Sequence, residues 1–404
     1  MRNKDNVEKS INEVTTLLSD MVRIESVNNG SAIEARRADF ANLMKAAEFV
    51  EGWLIQRGFE AKIERIGEGE LTPVVTAEAG HGKKTLVLNG HIDVVPIGNA
   101  EWKYGPFSGK IIDGKVYGRG TADMKGGVAI HMQLFSELAD KLDYKIVFNA
   151  VTDEESGGFQ GSRNLAPRYK GADLALIAEP GGNSAIGIGE KGVMPVNMVT
   201  YGKSAHASRP SLGKNAITIM ANRLDALSKI GDRKFEFPED IRKVNEESDK
   251  LFGNEIGIVT FNLAKINGGI KTNMVPNECT AVADMRVPVG LSLNQAFSIA
   301  KELFGGTGIE MQRINAEPNY TKPTNTYVKE FEKIVRREAG DATLIVKPGG
   351  SDGRFFRDEG IPTIVYGPGE YELIHTENEY VSIKNLEVAY KVYREFMLHF
   401  GEIG

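Results

Sequence analysis

Apolar positions in this chain fall first at helical spacing, then in short unbroken runs, and later in alternation. The opening segment NVEKSINEVTTLLSDMVRI carries Val7, Ile11, Val14, Leu17, Leu18 and Met21 three or four residues apart, which predicts an amphipathic helix. ANLMKAAEFVEGWLIQRG repeats that spacing and ends at Gly58, a residue type suited to the left-handed turn after a helix. EAKIERI, TPVVTAEA and KTLVLNG then read as strands, MKGGVAIHMQLFSELAD as a helix, and YKIVFNAVTDEE and ADLALIAEP as strands. Apolar strands alternating with helices predict an α/β sheet covered on both faces, with functional groups gathered where strands end on their carboxyl side.

Near residue 190 the pattern changes. GVMPVNMVTYGKSAH, EIGIVTFNLAKING and PNECTAVADMRVPV alternate like strands with one wet face, while GKNAITIMANRLDALSKI and LNQAFSIAKELFGG are helical. Their order predicts a small layer of helices on an antiparallel sheet, inserted within the larger domain. GDRKFEFPEDIRKVNEESDK, charged and poor in apolar residues, reads as a surface excursion. From TNTYVKEFEKIVRREAG the pattern returns to helix, strand (PTIVYG), loop and final helix. The expected fold is α/β: a large domain over residues 1–190 and 316–404 whose mixed, mostly parallel sheet is flanked by helices, and an α+β insert over residues 191–315.

Composition narrows the function classes. At 404 residues there is material for two domains, and 41% hydrophobic with 26% charged residues is ordinary for a globular protein. A net charge of -6 argues against nucleic acid or an anionic membrane as the main partner. The single cysteine, Cys279, excludes an internal disulfide framework and fits a reducing compartment. No apolar run reaches the length of a bilayer span, and MRNKDNVEKSINEV lacks the apolar stretch of a secretory signal. The expected location is the cytoplasm.

Five places put a carboxylate or imidazole just past an apolar run: His91 and Asp93 in LVLNGHIDVVP, Asp123 in GRGTADMKGG, Glu154 and Glu155 in VFNAVTDEESGG, Glu179 in LIAEP, and His375 in GPGEYELIHTENEYV. Each alone has a bland explanation. A histidine at a strand end is more often hydrogen-bonded structure than a ligand, Asp123 could cap the helix that follows, and adjacent glutamates commonly form a solvated turn. Together they fall at one predicted edge of one sheet, and several carboxylates packed together repel unless a cation sits among them. Two histidines with aspartate and glutamate are ligands that suit Zn²⁺, and a bridging carboxylate would make a two-metal site. Asp93, two residues beyond His91, shares its strand face and can orient the ring.

GHIDVVP, GRGTADMKGG, TDEESGG, AEP and the late histidine of HTENEYV together resemble, in order and over essentially the whole chain, the signature set of the co-catalytic zinc amidohydrolases. That family contains aminoacylase, acetylornithine deacetylase, succinyl-diaminopimelate desuccinylase and glutamate carboxypeptidases. The resemblance implies two Zn²⁺ per subunit, with Co²⁺ a possible substitute. It implies that His91 and Glu179 bind one ion, Glu155 and His375 the other, and that Asp123 bridges them. Glu154 is implied to be the general base and Asp93 the support of His91. The insert is implied to be a ferredoxin-like lid and dimerisation domain.

Within YGKSAHASRP, His206 matches a histidine that in the family reaches the active site of the opposite subunit and donates to the developing oxyanion. In GIKTNMVPNECTAVADMRV, Asn273 and Arg286 match residues that hold a substrate carboxylate; a strand-surface ion pair is the bland alternative for Arg286. The turn GGSDGRFF, with Gly350 and Ser351, offers backbone N–H groups as a second carboxylate cradle. The implied substrate is an N-acyl amino acid, of the succinyl-diaminopimelate or acetylornithine kind, hydrolysed by a homodimer. A dipeptidase or glutamate-type carboxypeptidase is the alternative on the same site, and the excursion at residues 231–254 is longer than the resemblance implies for compact desuccinylases. A non-catalytic metal-binding relative should have lost the base or a ligand, and here all six positions are filled.

Overall fold

The structure, a computed structural model, describes residues 2–404. It divides into two compact units, Met1–Ile188 with Thr321–Leu344 and Ser351–Gly404, and Gly189–Tyr320 with Ile345–Gly350. Strands β1 (Ala61–Ile66), β2 (Thr72–Ala79), β3 (Thr85–His91), β4 (Lys145–Val151) and β5 (Leu174–Ile177) of the first unit, and β6 (Ala185–Glu190), which belongs to it as far as Ile188, join with the strand Thr363–Val365 in one sheet. Its order is β1-β2-β4-β3-β5, then Thr363–Val365, then β6. The four central strands run parallel, while β1, β2 and β6 pair antiparallel at the flanks.

The central strands are rich in Val, Ile and Leu because both of their faces are covered. Helix α1 (Arg2–Val22) packs on α3 (Gly126–Leu138) and on the C-terminal helix Ile383–His399, and α2 (Ile33–Ile55) packs on β1 and β2. Nearly all of α3 is buried, and it comes close to the sheet through glycine: a Cβ on Gly127 would stand 2.7 Å from Ala178 Cβ and closer still to the Ala178 carbonyl. Helix α2 starts earlier than its apolar spacing predicts. Its first turns bury Arg36 and Asp39, whose partners are Glu68 and Asn29, so polar contacts replace the apolar stripe there.

The second unit is an antiparallel sheet of β7 (Gly192–Tyr201), β8 (Thr260–Gly268), β9 (Glu278–Val287) and β10 (Ile309–Met311), in the order β8-β9-β7-β10. Helices α4 (Ala216–Ser228) and α6 (Leu293–Leu303) pack on it, which is the split β-α-β arrangement. Its core joins Met194, Val196 and Met198 of β7 to Met220 and Leu224 of α4 and Ala296 and Ala300 of α6. The charged segment read as an excursion instead contains a 14-residue helix, α5 (Glu239–Phe252). Its buried stripe is narrow, Ile241, Val244, Asn245 and Ser248, and part of its anchorage is polar, since Ser248 Oγ accepts from the Val346 N–H at 2.8 Å. A polar anchor leaves little trace in an apolar pattern.

Candidate metal centre and active site

Register alone brings three of the predicted groups level. In the parallel pairings, His91 lies beside Val151, and Asn89 lies beside Ile177. Glu179, two residues past Ile177, therefore stands abreast of His91, and the chain leaving Val151 reaches Glu154 and Glu155 within one turn. Asp123 arrives on the kinked segment Thr121–Lys125 ahead of α3 and makes no helix-capping bond, which removes the bland reading of that residue. His375 comes from the loop between the strand Thr363–Val365 and the C-terminal helix.

The two carboxylate oxygens of Asp123 face different imidazoles. Oδ1 lies 3.1 Å from His91 Nε2, and Oδ2 lies 3.4 Å from His375 Nε2. His91 Nε2 is also 3.5 Å from Glu179 Oε1, and His375 Nε2 is 3.1 Å from Glu155 Oε2. Candidate ligand atoms of His91, Asp123 and Glu155 lie within 4.8 Å of one another, as do those of His91, Glu154 and Glu179. His91, Asp123 and Glu179 are buried, whereas the His375 side chain is 49% exposed, so the cluster opens on that side.

His91 is held from behind. Its Nδ1 is 2.9 Å from the Asp93 carbonyl oxygen and 3.5 Å from Asp93 Oδ1, so the backbone is the nearer acceptor. The other carboxylate oxygen of Asp93 accepts from Asn28 Nδ2 at 2.8 Å and from the Glu155 N–H at 3.2 Å. Asp93 thereby links the strand that carries His91 to the turn that carries Glu154 and Glu155.

The electrostatics match a cluster that needs a cation. Burial raises Glu154 well above the ordinary carboxylate range, and the charges of Glu179, Asp352 and Glu155 add to it against the pull of His91. Burial and Asp123 push Glu155 up to about 7, although His375 opposes them. Burial would raise Asp123 too, but hydrogen bonds with His375 and His91 hold it below its usual range. Contacts with Asp123 and Glu155 lift His375 to about 10 despite partial burial. Glu155 Oε1 is buried with no hydrogen-bond partner. An orphaned carboxylate oxygen beside two imidazoles and three more carboxylates is a donor set that fits divalent metal ions.

Other predicted residues lie in the second unit. There the loop of His206 runs beside that of Asn273: the Ala207 N–H donates to the Asn273 carbonyl at 3.0 Å, and His206 pairs with Met274. His206 is exposed, with Nδ1 2.7 Å from Ser208 Oγ. Arg286 on β9 pairs with Asp284 at 2.8 Å, and Gly350 also belongs to this unit. Ser351 begins the returning segment of the first unit, where it is fully buried and its Oγ accepts from the Gly353 N–H at 3.1 Å.

Sequence reasoning missed several buried polar groups around the cluster. Asp352, next to Ser351, is a buried carboxylate that accepts from Ser162 Oγ at 2.7 Å and is pushed up to about 8 by burial and by Asp153. Arg119 and Glu379 form a buried ion pair at 2.8 Å. Asn28 supports Asp93. Their only sequence signal is a charged or amide side chain beside glycine or within a turn, which is common on any surface.

Comparison with known proteins identifies the family. Residues 87–399 match the model of peptidase family M20/M25/M40. A succinyl-diaminopimelate desuccinylase of Sulfurovum sp. is 27% identical over 365 residues, covering 88% of this chain and 93% of its own. An acetylornithine deacetylase of Vibrio cholerae is 28% identical over 352 residues, covering 84% and 87%. Among solved structures, an M20 family metallo-carboxypeptidase from Sulfolobus solfataricus superposes with a TM-score of 0.75 at 24% identity, over 95% of this chain and 98% of that one. A family match along most of the length, on a chain whose histidines and carboxylates converge at the strand ends, makes this protein a member of peptidase family M20/M25/M40, an amide-hydrolysing enzyme.

Proposed function

We propose that this chain is a two-zinc amidohydrolase that removes an acyl group from the nitrogen of an amino acid, of the desuccinylase or deacetylase type, and that Co²⁺ can replace Zn²⁺. The observation that carries the reading is Asp123, whose two oxygens face two separate imidazoles. In this reading His91 and Glu179 would hold one ion and Glu155 and His375 the other, with Asp123 a ligand available to both. When bound, such ions supply Lewis-acid polarisation of the scissile carbonyl and a lowered pKa for water. Glu154, raised by burial and by its acidic neighbours, is the general base: it takes a proton from water at its carboxylate and returns it to the leaving nitrogen. Asp93 keeps His91 in its orientation.

His206 donates to the oxygen on which charge develops, acting on the opposite subunit of a homodimer, while Asn273 and Arg286 hold the substrate carboxylate and the Gly350–Ser351 turn contributes backbone N–H groups. The adjacency of the His206 and Asn273 loops supports grouping them. Dimerisation through the second unit is supported by β8, which is exposed over most of its length and carries Leu263 and Ile266, with Ile270 and Met274 exposed just beyond it. Such an edge invites pairing. Among the described residues no helix is long and apolar enough to cross a membrane, and the reading places the enzyme in the cytoplasm.

The second reading, a metallo-dipeptidase or glutamate-type carboxypeptidase, is favoured by the fold of the Sulfolobus carboxypeptidase. The deciding experiment is a panel of N-succinyl-amino acids, N-acetyl-amino acids and dipeptides, assayed with metal-free protein and after addition of Zn²⁺ or Co²⁺. Release of succinate or acetate only with metal is the expected result. Hydrolysis confined to dipeptides would move the assignment to the second reading.

A further inference from the structure

The geometry points to Arg119 and Glu379 as a positioning pair that sets the metal centre, an inference resting on the metal-centred reading above. Both side chains are buried, Arg119 at 2% exposure and Glu379 at 0%. Desolvation offsets most of the attraction in a buried pair, so stability alone is a weak reason for placing one here. What the pair touches is more informative.

Glu379 Oε2 accepts from Arg119 Nη1, and its other oxygen, Oε1, accepts from the backbone N–H groups of Ala122 at 2.8 Å and Asp123 at 3.2 Å. Arg119 Nη1 also donates to the Thr376 carbonyl at 3.1 Å, and Nη2 to the carbonyls of His375 and Pro96, each at 3.3 Å. One ion pair therefore grips the backbone at Asp123, at His375, and in the segment that follows His91 and Asp93. The local fold makes this possible. The strand Lys115–Tyr117 pairs with Tyr380–Ser382, Tyr117 opposite Tyr380, and the Gly118 N–H donates to the Glu379 carbonyl at 2.9 Å.

His375 needs such a grip. Its side chain is half in solvent, so packing fixes it poorly, and its φ of 60° lies in a region that side-chain-bearing residues rarely adopt. A planar guanidinium can serve three carbonyls and a carboxylate at once, whereas a lysine ammonium lacks that fixed fork. Arg119 and Glu379 are thus positioning residues that act through His375 and Asp123.

The test uses the full-length protein with Arg119→Met, Arg119→Lys and Glu379→Gln. Zn²⁺ affinity is read by competition with a chromophoric chelator, coordination by the Co²⁺ absorption spectrum, and stability by urea unfolding. Expected are a loss of about ten- to a hundredfold in affinity for the more weakly held ion, a changed Co²⁺ spectrum, and kcat falling more than KM. Arg119→Lys should restore part of the loss, and it carries the test if Arg119→Met does not fold. Variants that unfold more easily but bind Zn²⁺ and colour with Co²⁺ like the wild type would overturn the inference. A wild-type protein that bound neither ion would instead remove the metal-centred reading on which it rests.

Discussion

His131 offers a quantitative check on the buried interior of the first unit. It lies in α3 at 0% exposure, its ring meets Tyr393 edge-on at 4.6 Å, and neither ring nitrogen has a hydrogen-bond partner. Burial holds the imidazole down at about 3, against an ordinary value of 6.5. Above pH 6.5 the residue is neutral both folded and unfolded and leaves stability unchanged. As pH falls, the unfolded chain takes up a proton that the folded chain refuses, so stability is lost between 6.5 and about 3. At about pH 5 the loss is about 2 kcal/mol, at about 1.4 kcal/mol for each pH unit below the unfolded value. His131→Leu changes side-chain volume little, removes the titration, and removes two unsatisfied nitrogens whose burial costs about 1–3 kcal/mol each. The variant should be the more stable protein at neutral pH, and its advantage should grow by about 2 kcal/mol near pH 5. Urea unfolding of both proteins at about pH 7.5 and about pH 5, followed by circular dichroism, measures this, because other titrating groups cancel in the difference. An advantage equal at the two pH values would refute the reasoning, since it would mean that folded His131 takes up its proton as readily as the unfolded chain does.

Three further outcomes test other links. Glu154→Gln should bind Zn²⁺ like the wild type in a chelator competition yet lose about 10²–10⁴-fold in kcat, because the proposed base goes while the proposed ligands stay. His206→Ala should lower kcat with little change in the unfolding midpoint, as the residue is exposed; mixing it with Glu154→Gln should restore activity through heterodimers, and a mixture as inactive as its parts would count against a crossed-subunit role. Gly127→Ala should cost about 1–3 kcal/mol or more in urea unfolding, because its Cβ would meet Ala178 of the strand end that carries Glu179. An unchanged midpoint there would mean that α3 and the sheet have room for a methyl group between Gly127 and Ala178.

Legibility in the sequence followed the kind of force involved. Elements held by apolar burial could be read: the unbroken runs of β3, β4 and β5 and the alternation in β7 and β9 all became strands. Elements held by polar contacts could not. Helix α5 sits on a stripe of two aliphatic residues and a serine that bonds to Val346, and the start of α2 buries Arg36 and Asp39 against Glu68 and Asn29. The candidate site divides the same way. Chemically unusual groups at strand ends, such as His91 and Glu179, stood out against apolar neighbours, whereas Arg119, Glu379, Asn28 and Asp352 lie in glycine-rich or polar surroundings where such residues are commonplace.

By itself the sequence determined the strand ends and the chemistry placed on them, because period and composition are local properties that each segment carries alone. It also determined which residues could hold a cation, since that depends on side-chain type. Only the tertiary structure decided that Asp123 turns one oxygen to His91 and the other to His375, and that Arg119 and Glu379 grip the backbone of both Asp123 and His375. Those relations join residues up to 260 positions apart, as in the Arg119–Glu379 bond. Such contacts depend on register between strands distant in sequence and on the closure of long loops, and no short stretch of chain encodes either one.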